Sequence, residues 1–311
     1  MTVNTVFSKA DLSTIISDYG LGKMTKLSPF KSGTVQTNIK LETTKGKYVF
    51  RYYETRSEKY ALFEINLLEY LSKHSYPSPK PVKNKTGKYI GNFKGKSFVI
   101  LEFMEGDYSN NIDNHKQIAD VIGQLHQITT GYKTRFYEFR EAYSPKSCWE
   151  NATVNAEKIK SEKEAKSRLD WLKKELKVIK IPDTLPYGVC HADTHPSNFL
   201  FTDGKLTGVL DFDDASYVPL LYDIANMIYY WAWPHKESLI TEKAKEILAE
   251  YDKYRKLTDV EKESLYDLLK MVIFMSIGWF INLDDDYIAE KKKIEALNIL
   301  GRKEFYLRIF G

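Results

Sequence analysis

The spacing of apolar residues predicts two kinds of structure in two successive parts of the chain. Up to about residue 104, short alternating apolar runs separated by glycine-containing turns predict strands, and helical spacing appears only at 8–19 and 57–74. Beyond that point, apolar residues at intervals of three and four predict helices. These lie at about 113–130, 148–179 (one or two helices), 222–233, 237–252, 259–282 and 286–308.

The two parts predict two lobes. With 311 residues the chain is longer than one compact core usually accommodates. The change from strand to helix patterning follows the apolar strand Phe98–Met104, which we expect to be reached through hairpin turns at Thr86-Gly87 and Lys94-Gly95. We therefore expect an N-terminal lobe over residues 1–104 and a C-terminal lobe over residues 105–311.

One segment of the helical part has a strand pattern instead. Asn198–Phe201 and Leu206–Leu210 flank the turn Asp203-Gly204, which predicts a β-hairpin. Polar residues stand on either side of it at His191-x-Asp193-x-x-x-x-Asn198 and at Asp211. This is the spacing of a kinase catalytic loop followed by a metal-binding aspartate.

Phosphoryl transfer requires these residue types. One carboxylate orients the acceptor hydroxyl and takes its proton, for which we expect Asp193, while Asn198 and Asp211 supply oxygen ligands for Mg²⁺. The hairpin folds the chain back, so these three side chains are expected to converge. Two alternatives remain: an ordinary hairpin with polar loop residues, or a transition-metal site formed by His191, Asp193 and His195.

The β-rich part offers candidate nucleotide contacts. A kinase strand cation contacts the α- and β-phosphates and is held by a helix carboxylate, roles that suit Arg51 and Glu64. The turn containing Gly33 is placed to cover the phosphates, although a single glycine is more often only a turn. We expect adenine to bond to backbone groups around Glu102–Met104.

Composition excludes several other classes. The net charge of +4 is too small to indicate a nucleic-acid partner. The two cysteines, Cys148 and Cys190, lack disulfide or metal spacing, which favours a reducing compartment. The most apolar segment, Met271–Leu283, is too short to span a bilayer and predicts a buried helix. With no signal-peptide pattern, we expect a cytoplasmic protein without a membrane partner.

The motifs resemble those of the aminoglycoside phosphotransferase/choline kinase superfamily. The likeness lies in the loop from His191 to Asn198, in Leu-Asp211-Phe and in Tyr-Asp223-Ile-Ala. It is closer still to the homoserine kinases of that fold, through Tyr-Val-Phe-Arg51-Tyr-Tyr-Glu and Leu169-Asp-Trp-Leu. The resemblance implies an α+β, protein-kinase-like bilobal fold with a small β-rich N-lobe, and ATP and Mg²⁺ as cofactors.

Two departures bear on the substrate. Arg51 stands where many superfamily members carry lysine. Asp213 and Asp214 follow the metal-binding motif where homoserine kinases carry tyrosine and neutral residues, and they are candidates for binding a cationic amine or for a solvated or capping pair. We expect an ATP-dependent kinase for the hydroxyl of a small, amine-bearing molecule, homoserine first. The alternatives are an aminoglycoside-, choline- or protein-directed kinase and a catalytically idle nucleotide-binding protein.

Overall fold

The computed structural model describes residues 5–30, 35–132, 135–234 and 238–311. The chain divides into two compact units. The first takes the chain up to Tyr108, a segment that ends at Arg140, and Phe199–Asp213; the second takes Ser109–Tyr132, Glu141–Asn198 and Asp214–Gly311. The first unit is rich in antiparallel strands and the second is mainly helical, which confirms the expected fold class. The division of the chain at residue 104 stays a prediction.

The first unit is built on a five-stranded antiparallel sheet. Its strands run in the order β1-β2-β3-β5-β4. Its elements are α1 (Lys9–Asp18), β1 (Met24–Pro29), β2 (Thr37–Thr43), β3 (Gly46–Tyr52), α2 (Glu58–Lys73), β4 (Gly91–Phe93), β5 (Lys96–Glu102), β6 (Asp107–Tyr108), β8 (Phe199–Thr202) and β9 (Lys205–Val209).

Helix α1 shows why this sheet has a buried face. Ser8 and Asp11 form a capping box that satisfies backbone N–H groups at the start of the helix. Its apolar side then buries Leu12 and Ile16 in one cluster with Phe50 of β3. Burying these side chains removes apolar surface from water, which is the main force that holds helix and sheet together.

Strands β8 and β9 form the hairpin expected from the sequence. Asp203 and Gly204 both have positive φ, 50° and 73°, as a two-residue turn of type I′ requires. The hairpin leads directly to Asp211, and β6 pairs with the outer side of β8.

The second unit packs its helices around α8. Its elements are α3 (His115–Ile128), α4 (Pro145–Ala156), α5 (Glu162–Leu176), β7 (Tyr187–Cys190), β10 (Ser216–Pro219), α6 (Leu221–Met227), α7 (Thr241–Tyr251), α8 (Asp259–Phe280) and α9 (Asp284–Phe310). Helix α8 contacts α4, α6 and α9. Met271 and Phe274 are fully buried, as the predicted core helix requires. In the part of the chain that the structure describes, no helix combines the length and apolar character needed to cross a membrane.

Three local expectations need correction or refinement. The prediction of a hairpin at Thr86-Gly87 is wrong. Instead, the side chain of Asn84 accepts hydrogen bonds from the N–H groups of Thr86 and Lys88 and closes an isolated turn. The charged segment 148–179 is two helices. The segment 222–233 starts as α6 but continues as a single π turn, Ile228–Ala232.

Candidate active site

A buried ion-pair chain lies in the first unit. Strand β3 places Arg51 so that Nη1 donates to Oε1 of Glu64 on α2 at 2.8 Å, while Nη2 donates to Oδ1 of Asp211 at 3.1 Å. The pair expected from the sequence therefore forms. Sequence reasoning missed two further members. Asn38, opposite Arg51 in the β2–β3 register, accepts from Nε at 3.1 Å, and the Tyr53 hydroxyl donates to Glu64 at 2.7 Å.

The electrostatics of this chain keep Arg51 charged. Burial alone would lower the pKa of Arg51, but the carboxylates of Glu64 and Asp211 outweigh it and raise the pKa above its ordinary value. Burial and the negative charge of Glu64 raise the pKa of the Tyr53 hydroxyl well above its usual range, so this group stays a donor. A permanent, oriented cation on β3 is suited to contact phosphate oxygens.

Asp211 lies at the end of the hairpin with an accessible carboxylate. Its side chain is 48% exposed, and its backbone has φ of 61°. The following residue, Phe212, is buried against Tyr76. Among the described residues, only one of the two Asp211 carboxylate oxygens accepts a hydrogen bond, from Arg51. The other oxygen is available to a ligand.

The loop that carries Asp193 lies in the second unit. The amide nitrogen of Asn198 donates to Oδ2 of Asp193 at 2.7 Å and to its backbone oxygen at 2.9 Å. The Asp193 N–H donates to Nδ1 of His191 at 3.3 Å. These contacts hold the half-buried Asp193 carboxylate in one orientation and turn the amide oxygen of Asn198 away from it.

Helix α6 and the π turn hold this loop by hydrogen bonds to its backbone. The fully buried Asp223 carboxylate accepts from the N–H groups of His191 and Ala192 at 2.8 and 2.7 Å. Asn226 accepts from the N–H of Thr194 at 2.6 Å, and the Trp231 indole N–H donates to the Thr194 carbonyl at 2.7 Å. Asp223 therefore has a structural role, since it binds N–H groups of the distant loop rather than those of its own helix.

Asp213 and Asp214 have different surroundings. Asp213 is 6% exposed, and its Oδ2 accepts from Gln36 at 3.3 Å and lies 3.8 Å from Nε of Arg56. Asp214 belongs to the second unit and is half-buried, and its backbone oxygen accepts from the Tyr143 hydroxyl at 2.8 Å. Their predicted part in acceptor binding stays a prediction.

The remaining nucleotide-site candidates are at the end of β5. The N–H groups of Glu102 and Phe103 donate to the carbonyls of Lys80 and Lys47. In the described part of the chain the Met104 N–H has no protein partner. Gly33 lies outside the described residues.

The metal alternative at His191, Asp193 and His195 is not supported. Within the described ranges, the group of side chains close enough to share a metal ion is instead His126, Cys190 and Asp223, all buried. Hydrogen bonds account for it, since His126 bridges the Tyr251 hydroxyl and Asp223 at 2.6 and 3.0 Å. His126 is thus the satisfied core histidine that its position on α3 predicts.

Each unit, taken by itself, has an oxygen donor of a kind that a hard divalent cation binds. In the second unit, the Asn198 amide oxygen accepts no hydrogen bond from the described residues. In the first unit, the same holds for one carboxylate oxygen of Asp211. Amide and carboxylate oxygens are the ligands that Mg²⁺ prefers, whereas neither thiolate nor imidazole is part of this set.

The fold and these clusters define a phosphotransferase of the protein-kinase-like class. A model of the phosphotransferase enzyme family matches residues 26–257, and the chain belongs to that family. The homoserine kinase of Bartonella henselae is 27% identical over 301 residues, which cover 94% of this chain and 93% of that protein. The protein is therefore a kinase that phosphorylates a hydroxyl group of a small molecule, and its kinase relatives imply ATP as the donor.

Solved structures agree on the fold. An amicoumacin kinase in complex with AMP-PNP, Ca²⁺ and Ami superposes with a TM-score of 0.68 at 20% identity, covering 97% of this chain and 94% of that one. A microcompartment-associated aminopropanol kinase gives a TM-score of 0.67 at 15% identity, with 93% and 94% covered. These two structures share the fold and their names give different acceptors, so the fold does not identify the acceptor of this chain.

Proposed function

We propose that the protein is an ATP- and Mg²⁺-dependent kinase for a small, amine-bearing alcohol, with homoserine as the leading acceptor. The observation that carries the proposal is the loop from His191 to Asn198. Its Asp193 carboxylate is oriented by the Asn198 amide, and its backbone is fixed by Asp223. A carboxylate held in this way serves as the base and orienting group of phosphoryl transfer.

The proposed roles divide between donor and acceptor. Asp193 orients the acceptor hydroxyl and takes its proton as the oxygen attacks. Asn198 and Asp211 hold Mg²⁺, which neutralises charge on the β- and γ-phosphates when it is bound. Arg51, fixed by Glu64, binds the α- and β-phosphates. The protein thus contributes positioning and electrostatic stabilisation rather than a covalent intermediate.

The proposed nucleotide site lies in an N-terminal lobe over residues 1–104. The Met104 N–H and the backbone near Glu102 bind adenine, and the turn at Gly33 covers the phosphates. The acceptor site then lies in the lobe over residues 105–311. The likeness to homoserine kinases spans nearly the whole chain. We therefore propose that the protein acts in small-molecule metabolism and lies in the cytoplasm.

The amine of the acceptor is proposed to bind near Asp214. This carboxylate is half-buried in the same unit as Asp193. A cationic amine would offset the electrostatic repulsion between neighbouring carboxylates. Aminoglycoside- and choline-type acceptors also carry such a cation, and they remain the alternative substrates.

A substrate screen tests the proposal. ADP release from Mg·ATP is measured with L-homoserine, 1-amino-2-propanol, choline, spectinomycin and a generic protein substrate. We expect turnover with an amino alcohol, strongest with L-homoserine. Turnover with spectinomycin alone or with choline alone would show that the acceptor is of the aminoglycoside or choline type rather than homoserine. Binding of Mg·ATP without transfer to any acceptor would favour an idle nucleotide-binding protein instead.

A further inference from the structure

The π turn brings an aromatic side chain against the catalytic loop. In a regular helix, the residue seven positions after Asp223 would share its face. The extra residue in the π turn lets Trp231, eight positions on, reach the Thr194 carbonyl instead. Tyr230 then lies beside the loop, and its ring meets that of His195 edge to face at 5.0 Å. Such turns are frequent at functional sites.

The Tyr230 hydroxyl is open to a ligand. Tyr230 is only half-buried, and within the described parts of the chain its hydroxyl makes no hydrogen bond. The neighbouring Tyr229 differs, because its hydroxyl is bound to Oε1 of Glu290 at 2.9 Å and to Ser276 at 3.2 Å. A phenol without a protein partner, next to a catalytic loop, is a group that a substrate can satisfy.

The charges around Tyr230 indicate what it binds. Burial and then the Asp193 carboxylate raise the pKa of the Tyr230 hydroxyl well above its usual range. Burial, with Asp214, Asp223 and Asp193, does the same to the pKa of Tyr222. The charges that raise these two pKa values belong to acidic side chains, so a ligand group that donates a hydrogen bond or carries positive charge is favoured over a carboxylate.

We propose that the Tyr230 hydroxyl binds the acceptor, accepting a hydrogen bond from an ammonium or second hydroxyl group beside the alcohol that Asp193 orients. The inference rests on the proposed function and adds to it a residue that sets acceptor specificity. Two contacts, one to Asp193 and one to Tyr230, fix both the position and the direction of the reacting oxygen. A site built around such a contact rejects acceptors that lack the matching donor.

The test compares Tyr230→Phe with Tyr229→Phe, using the best acceptor among L-homoserine, 1-amino-2-propanol, choline and spectinomycin. We expect Tyr230→Phe to raise the acceptor KM about tenfold with an unchanged KM for Mg·ATP and an unchanged Tm. Tyr229→Phe, which removes one of the hydrogen-bond donors to the buried Glu290, should lower the Tm and leave the acceptor KM within about twofold.

Three results would contradict the inference. An unchanged acceptor KM in Tyr230→Phe, with normal turnover by the wild type, would overturn this inference alone. An equal rise in the KM values of acceptor and Mg·ATP, with a lower Tm, would show that Tyr230 is merely structural. No turnover of any acceptor by the wild type would overturn the proposed function, and this inference with it.

Discussion

At the scale of single residues, the backbone at Ala192 and Asp211 is held in an uncommon conformation. Both have positive φ, 66° and 61°, in the region that residues other than glycine rarely adopt. Such a residue costs on the order of 1–3 kcal/mol and persists only where its surroundings fix it. Asp223 fixes Ala192 by accepting its N–H, and Arg51 contacts Asp211. The strain is thus located at the residues beside the proposed chemistry.

The first prediction concerns the Asp193 carboxylate. Asp193→Asn keeps the size and polarity of the side chain but removes the base, so kcat should fall by roughly 10²–10⁴-fold while Mg·ATP still binds. The matched control is Asp203→Asn in the hairpin turn, where asparagine suits the positive φ. Steady-state kinetics and nucleotide titration check both variants. Near-normal turnover in Asp193→Asn would remove Asp193 from the mechanism.

Single-residue features were predictable only where local spacing encodes them. The Arg51–Glu64 pair and the Asp193–Asn198 contact followed from motif spacing. Asn38 and Tyr53 did not, because their contacts depend on strand register and on how α2 lies against the sheet. The one usable signal was that Asn38 faces Arg51 across the hairpin β2–β3. Whether Asp211 joins Asp193 and Asn198 at one phosphate stays a prediction.

At the scale of elements, α6 with its π turn acts as the support of the catalytic loop. Asp223, Asn226 and Trp231 together hold three residues of the loop, His191, Ala192 and Thr194, by hydrogen bonds to their backbone groups. The sequence predicted a core helix here, but no hydrophobic pattern distinguishes a π turn from a regular one. The structure reveals the π turn through the position of Trp231.

The second prediction tests that support. Trp231→Phe removes the indole N–H that holds Thr194, and loss of one buried hydrogen bond costs about 1–3 kcal/mol. Because Thr194 follows Asp193 directly, we expect kcat to fall about tenfold with little change in KM. Trp279→Phe on α8, which alters an exposed indole, is the matched control. A kcat equal to that of the control would show that the bond does not position Asp193.

The third prediction concerns the start of α8. Glu261 is fully buried and accepts hydrogen bonds from Arg255 and from the N–H and hydroxyl of Thr258. Burial alone would raise the pKa of Glu261, but Arg255 and Thr258 outweigh it and lower the pKa below its ordinary value. Its stabilising contribution is therefore complete above the unfolded pKa of about 4.3 and is lost as pH falls through the lower folded pKa.

Glu261→Gln should accordingly lower the Tm by roughly 5 °C at pH 7. The difference from the wild type should narrow as the pH falls below about 4. Glu263→Gln, two residues along the same helix and exposed, should leave the Tm unchanged at both pH values. Thermal unfolding at pH 7 and at about pH 3 measures both variants. A Tm difference between Glu261→Gln and the wild type that stays constant with pH would mean that the Glu261 charge contributes nothing to stability.

At the scale of the whole molecule, the sequence predicted the class of fold, and its division of the chain at residue 104 stays a prediction. The catalytic motif and the strand-to-helix change were enough for a β-rich part and a helical part. The contacts, however, group the hairpin Phe199–Asp213 with the first unit, although it lies far along the chain. Sequence patterning reports local periodicity, whereas such grouping depends on long-range pairs such as β6 with β8.

The fourth prediction uses the stability of the whole chain as a measure of ligand binding. A ligand that binds only the folded state at a hundred times its Kd adds about 2.7 kcal/mol to stability. ATP with Mg²⁺ should therefore raise the Tm of the wild type by roughly 5 °C, and EDTA should remove most of that rise. Asp211→Ala deletes a proposed metal ligand and should abolish the dependence on Mg²⁺.

Asp203→Ala, at the exposed tip of the same hairpin, is the control for this experiment. It removes one carboxylate as Asp211→Ala does, but it should retain the full Mg²⁺-dependent rise in Tm after allowance for its own lower baseline. An Asp211→Ala variant that keeps the Mg²⁺-dependent rise would contradict the assignment of Asp211 as a metal ligand. Because this measurement needs no acceptor, it tests the nucleotide site even while the acceptor is being sought.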